Sequence, residues 1–248
     1  MQGWSIKRIV LTVGCLVAVT AVVQVMAFLS SGRRRSVAAS RLRASGIEIA
    51  FKNSDAGWFR DLVGDIIGDA YVHPTHEIRI NETCGRFSSG IDWNSMCELS
   101  PIIKIEISDF QLSHELFSTI SSLDIEQIWI RDCVVSDDAR LSFPSTIQVL
   151  VVEDTKLGKH FEGALDNSIL LEELWLDCAG IQAEQVVHLS LPTLKILSIN
   201  GIEYIDPASL THSFPSLQTL YVSRGDWSGE NEKRFEEQCE VNVVISDE

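Results

Sequence analysis

The first 46 of the 248 residues carry no aspartate or glutamate. Seven of the chain's 20 basic residues stand there: Lys7, Arg8, Arg33, Arg34, Arg35, Arg41 and Arg43. All 35 acids therefore lie from Glu48 onward against the remaining 13 bases, a balance of −22 for that part. A body that acidic repels nucleic acid and anionic lipid headgroups, which excludes nucleic acid as a partner, and it stays in solution. Catalytic signatures are missing too. There is no G-x-S-x-G and no H-E-x-x-H, and GDIIG at Gly64 to Gly68 has neither the spacing nor the lysine of a phosphate loop. The six cysteines contain no C-x-x-C pair. His73 and His76, three apart beside Pro74, lack the carboxylate and thiolate partners of a metal site and read as solvated loop histidines. Asp137-Asp138 reads as turn and helix-start chemistry rather than a cation site. With no convergent nucleophile, base or metal set, the chain is expected to be no enzyme and to hold no cofactor and no metal.

What is present begins with a long apolar run. Ile9 to Leu29 is 21 residues without a charge, between Lys7-Arg8 and Arg33-Arg34-Arg35. That length crosses a bilayer as one helix. Val25-Met26-Ala27 has the small residues of a signal-cleavage site, but the run is long for a signal peptide and three arginines close behind disfavour cleavage. A single-pass membrane anchor over 1–32 is the favoured reading and a cleaved signal peptide the alternative. The α-amino group and two basic residues precede the span and five arginines follow it, which leans toward a cytoplasmic body without deciding the side.

Beyond the run, one pattern returns. Apolar residues in the order apolar-x-x-apolar-x-apolar stand at Ile102, Ile105, Ile107; Ile125, Ile128, Ile130; Ile147, Leu150, Val152; Leu171, Leu174, Leu176; Leu194, Leu197, Ile199; and Leu217, Leu220, Val222. A last copy keeps Val243 and Ile245, and a looser first copy keeps Ile78 and Ile80. From residue 105 on, the middle positions are 22 to 24 residues apart. Five residues after each triplet comes another large side chain: Leu112, Val135, Leu157, Ile181, Tyr204 and Trp227. Polar segments such as SDDARL and IDPASL follow, each able to open one or two helical turns, and Phe143-Pro144, Leu191-Pro192 and Phe214-Pro215 close several units. Each unit therefore reads as strand, turn, short helix, return. One unit cannot bury its own apolar face, whereas stacked neighbours share a continuous core.

These triplets resemble the leucine-rich-repeat family, whose pattern is L-x-x-L-x-L-x-x-N/C-x-L, over roughly residues 75–248. The N/C position departs from it, with Phe110, Cys133, Thr155, Ala179, Ile202 and Gly225, of which Cys133 alone matches. The SDDA turn looks like those of bacterial members with 23- or 24-residue repeats, and the Arg-rich lead-in to GIEIAF is similar to that of membrane-anchored bacterial members. The resemblance implies an α/β fold: a leucine-rich-repeat solenoid with one parallel β-sheet and short helices or turns on the convex side, preceded by one transmembrane helix. Three regions follow: the anchor at 1–32, a basic juxtamembrane segment and N-terminal cap at 33–74, and the repeat domain at 75–248. A cap helix is expected near Ser54–Asp69, with Trp58, Phe59, Leu62, Ile66 and Ile67 as its apolar stripe. Cys84 and Cys97 either pin the longer first interval as a bridge or stay free thiols, according to compartment, and Asn81-Glu82-Thr83 is a glycosylation acceptor only where the host permits it.

Alternation along a strand sends the residues between the core positions outward, onto what would be the concave face. The central row is Arg79, Glu106, Trp129, Val151, Trp175, Ser198, Tyr221, Val244. With Val149 and Ile196 beside them, Trp129, Val151, Trp175 and Tyr221 form an apolar-aromatic patch rimmed by Arg131, Glu153, Glu173 and Asp177. Aromatic anchors inside a polar rim suit a protein or peptide ligand. The competing reading is that these side chains merely pack over the sheet. A surface protein stacking carbohydrate or a small ligand on the tryptophans, released by signal cleavage, is the alternative function. The last strand leaves an open edge, guarded by Glu236, Glu237, Glu240, Asp247 and Glu248, or else paired in a homodimer.

Overall fold

Among the described residues, nine strands assemble into one sheet where β-branched and leucine residues alternate with polar ones. In this computed structural model the described residues are 6–51, 75–84, 91–161, 163–202, 204–223, 233, 235 and 241–246, with side chains from Val13 onward. The strands are β1 (Glu48–Phe51), β2 (Thr75–Ile80), β3 (Ile102–Ser108), β5 (Ile125–Arg131), β7 (Val149–Glu153), β8 (Glu173–Asp177), β9 (Ile196–Ser198), β10 (Thr219–Ser223) and β11 (Asn242–Ser246). They lie side by side in that order. β1 runs antiparallel to β2, and the other pairs are parallel. The fold is thus mixed α/β around one large, mostly parallel sheet. β4 (Gln111–Leu112) and β6 (Val134–Val135) pair as a second, two-stranded parallel sheet.

The register repeats the sequence ladder. Ile78, Ile105, Ile128, Leu150, Leu174, Leu197, Leu220 and Val243 are successive partners across the sheet. All but the last are fully buried. Leu112 and Leu157 from the second set of large residues are fully buried too and Ile181 nearly so, while Val135 and Tyr204 pack half-buried against the core. Trp227 lies outside the described residues.

The ends of β3, β5, β7, β8 and β9 turn the same way. Asp109, Asp132, Asp154 and Cys178 adopt φ of 50°, 49°, 47° and 52°, and Gly201 adopts 77°. Left-handed backbone costs least for Gly and is tolerated by Asp, whose short polar side chain bonds locally. The amides of Asp109, Asp132, Asp154 and Cys178 each donate to a carbonyl at or just past the end of the next strand, at Arg131, Glu153, Asp177 and Asn200, over 3.0–3.2 Å. One turn inward, the Thr155 hydroxyl accepts from the Cys133 amide at 2.9 Å and donates to the Glu153 carbonyl at 3.0 Å. A buried threonine therefore bridges adjacent turns although it departs from the N/C pattern.

Not every polar segment opens a helix. IDPASL does: α5 (Pro207–Ser213) starts at Asp206, whose carboxylate accepts from the Ser209 amide at 3.3 Å, with Pro207 in the first turn. SDDARL does not. It makes a single turn, the Ala139 amide donating to the Ser136 carbonyl, and then Ala139, Leu141 and Phe143 are buried alternately. That period of two calls for extended chain, not helix. The remaining helices, α2 (Asn94–Cys97), α3 (His114–Ile120) and α4 (Ala183–Val187), are short.

The first helix is the longest element. α1 runs from Ile6 to Ala44 without a break, through residue 32 and all five following arginines. Its N-terminal part is long and apolar enough to cross a membrane, and none of that stretch is buried against the protein. Its last turns differ: Ala38, Ala39 and Leu42 are buried in the core. The GIEIAF strand appears as β1, but the cap helix expected near 54–69 lies outside the described residues. At the other end β11 is outermost, with Val243 and Ile245 only half-buried. The acids expected to guard that edge lie outside the described residues.

Candidate functional site

The outward positions stand in register, so the rows expected from alternation exist. Glu106, Trp129, Val151, Trp175 and Ser198 are consecutive partners, and Tyr221 follows Ser198. Val149, Glu173 and Ile196 form the row before, and Arg131, Glu153 and Asp177 the row after. The ten candidate residues share one face. They do not all offer surface. Val151 is 6% exposed, because the large rings on either side cover a short side chain on the rung between. Asn200, two residues past the end of β9 at Ser198, is buried as well.

The two tryptophans have different surroundings. Trp129 sits among cations: Lys104 Nζ lies 4.2 Å and Arg131 Cζ 4.7 Å from its ring centroid. Lys104 pairs in register with Gln127, two residues before Trp129, and Arg131 follows two residues after, so the charges come from both sides along the strand. Such contacts contribute about 0.5–1 kcal/mol when exposed. Trp175 instead stacks on Tyr221, centroids 5.0 Å apart and planes 28° from parallel. Their strands are two rungs apart, roughly 9.6 Å at the usual sheet spacing. The rings lean together over Ser198, which is fully buried beneath them and donates to Asp177 Oδ1 at 3.0 Å.

Charge divides the face in the same way. On β2 to β7, three carboxylates and three cations interlock: Glu77 with Arg79 (2.9 Å) and Lys104 (3.1 Å), Glu106 with Lys104 (2.9 Å), Arg131 (3.6 Å) and Arg79 (3.7 Å), and Glu153 with Arg131 (2.6 Å). Burial alone would push the Glu77 carboxyl up, but the hydrogen bond and charge of Lys104, joined by Arg79, hold it below the ordinary carboxylate value. On β8 to β11 the outward positions carry Glu173 and Asp177 and no lysine or arginine. Among the described residues Glu173 has no ion pair.

The remaining chemistry is sparse. Cys84 and Cys97 are free thiols, one buried and one exposed. Burial pushes the Cys133 thiol up to about 11, so it is not nucleophilic at neutral pH. Among the described residues no three His, Cys, Asp or Glu side chains converge, and Asp137-Asp138 lies in the turn described above. His73 and the Gly64–Gly68 segment lie outside the described residues. Four clefts of about 270–540 Å³ are lined by described residues, none of them by Trp129, Trp175 or Tyr221. No protein-family model matches the chain, and no curated protein matches it.

The alternation of faces was legible from the triplets; the split between the two halves was not drawn from them. Its signals are in the sequence: Lys104 and Arg131 in the rows flanking Trp129, and a small Ser198 between two aromatic rungs. The left-handed ladder Asp109, Asp132, Asp154, Cys178, Gly201 was legible in the same way, as Asp or Gly two residues past most triplets.

Proposed function

We propose that the chain is a single-pass membrane-anchored leucine-rich-repeat protein, a solenoid whose concave sheet face binds a protein or peptide without catalysis. The long apolar helix supports the anchor, and parallel strands in sequence order with a 22–24-residue return support the repeat reading. The observation that carries the binding role is the half-exposed Trp175–Tyr221 stack beside Glu173 and Asp177. It combines a rigid aromatic anchor with carboxylates that no basic side chain of the sheet face neutralises, as an interface hot spot requires. Trp129 has its charge partners already, so docking is assigned to the β8–β11 half. Stacking of carbohydrate is less well supported, because Trp175 and Tyr221 already stack on each other and Trp129 on cations.

The test uses the full chain in its native membrane with a photoreactive residue at Thr219, on the same face, or at Arg140, on the turn side. Thr219 is expected to give a discrete protein adduct and Arg140 none, and Trp175→Ala is expected to abolish the adduct with the far-ultraviolet circular dichroism unchanged. Equal capture at both positions, or an adduct indifferent to Trp175, overturns the assignment. Retention of the soluble body on immobilised glycans but not on proteins would transfer the function to the carbohydrate class.

A further inference from the structure

The unbroken α1 sets the depth of its arginines. A helix rises 1.5 Å per residue, so Arg33 and Arg34 stand about 6–8 Å beyond Leu29, where the apolar run ends. The polar layer of a bilayer leaflet is about 5–7 Å thick. If Ile9–Leu29 crosses the membrane, these two guanidinium groups lie at the level of the lipid phosphates. Arg41, roughly 18 Å beyond Leu29 by the same rise, stands clear of them.

A cleft of about 270 Å³ opens at this place between α1 and α2, lined by Arg33, Arg34, Val37, Ala38, Arg41 and the α2 residues Ser95 and Glu98. Ser95 is already committed, its hydroxyl donating to Asp92 at 2.8 Å. The two carboxylates nearby make only long, exposed pairs: Glu98 with Arg34 at 3.9 Å and Asp92 with Arg41 at 3.6 Å. Arg33 has no carboxylate partner among the described residues. Val37, 45% exposed, and the buried Ala38 continue the cleft on the solvent side of these charges, about 12–14 Å beyond Leu29 by the same rise. The cleft therefore presents two exposed cations at headgroup depth at its membrane end, while the rest of the body is strongly acidic.

We propose that Arg33 and Arg34 hold the phosphate of an anionic phospholipid in this cleft, seating the acidic body on a membrane that would otherwise repel it. The proposal rests on the anchor reading. An arginine near an anionic leaflet strengthens association about fivefold. Depth distinguishes a site from general basic attraction: Arg33 and Arg34 touch the phosphate, and Arg41 is the far wall.

The full chain would be reconstituted in vesicles of phosphatidylcholine with a minor share of phosphatidylglycerol, extracted in mild detergent, and its retained lipid identified by mass spectrometry. Phosphatidylglycerol is expected to be enriched over its bulk share, R33Q/R34Q to lose the enrichment at least about fivefold, and R41Q to keep it. Lys7 and Arg8 stay constant throughout, so their effect cancels. A chain that resists carbonate washing yet shows no enrichment overturns the lipid site and leaves the anchor standing. A chain washed out by carbonate overturns both. Equal loss in R41Q reduces the effect to bulk charge and overturns the site, and release of the lipid by excess inorganic phosphate overturns the commitment to lipid.

Discussion

The two halves of the outward sheet face are built on the same rungs and finished differently. From β2 to β7, six charged side chains cross-link neighbouring strands, and Trp129 is drawn into their network. From β8 to β11, an aromatic pair closes over a buried serine, and Glu173 and Asp177 have no ion pair among the described residues. A sheet surface can be covered by cross-strand ion pairs or by large rings, and each cover leaves a different chemistry facing solvent. The first half has few free groups to offer a partner. The second has a hydrophobic anchor and two carboxylates without an ion pair among the described residues.

The largest expected effect tests whether the halves are alike underneath. Ile128→Ala and Leu174→Ala each remove a fully buried side chain from the same rung position. Each should cost about 2–5 kcal/mol in urea titration of the full chain in detergent. A cost confined to one half would show that the ladder is not one core. Next, Ser198→Leu forces bulk beneath the stacked rings and should cost about 1–3 kcal/mol while separating Trp175 from Tyr221, read as a change in near-ultraviolet circular dichroism. An unchanged spectrum would mean that the serine is not the notch that lets the rings meet.

Acid should act on the first half alone. The Glu77 carboxyl is held below its ordinary value, so its contribution is present above the unfolded carboxylate range and lost as pH falls through the folded value. As pH falls, the protection of amides in β2 and β3, measured against their intrinsic exchange rates, should drop before that in β8 and β10 does, an effect of about 1 kcal/mol at most for such partly solvated pairs. Simultaneous loosening would deny the network a local role. The smallest effect is chemical: iodoacetamide at neutral pH should modify the exposed Cys178 well before Cys133, whose buried thiol is pushed up to about 11. Comparable rates would contradict the packing of the β5 turn.

Most of the fold was readable because its determinants are local and repeated. The middle residue of each apolar triplet lies in a strand, and returns of 22–24 residues place seven such residues, from 105 to 243, on one ladder. Errors arose where one unit departs from its neighbours: SDDARL turns without forming a helix because Leu141 and Phe143 must both reach the core, and Val151 is hidden by its neighbours despite pointing outward. The candidate site was readable as a row of residues and not as an arrangement. Trp175 and Tyr221 belong to different units, and their contact depends on the size of a third residue between them.

Periodicity and charge by themselves determined the ladder, the buried positions, the apolar run and the acidic body, since burial of alternating side chains leaves one register for each strand. The tertiary structure alone decided that α1 continues unbroken into the core, that one tryptophan is flanked by cations and the other stacks on tyrosine, and that Glu173 and Asp177 have no ion pair among the described residues. Those outcomes depend on distances between side chains on different strands, which sequence spacing does not encode.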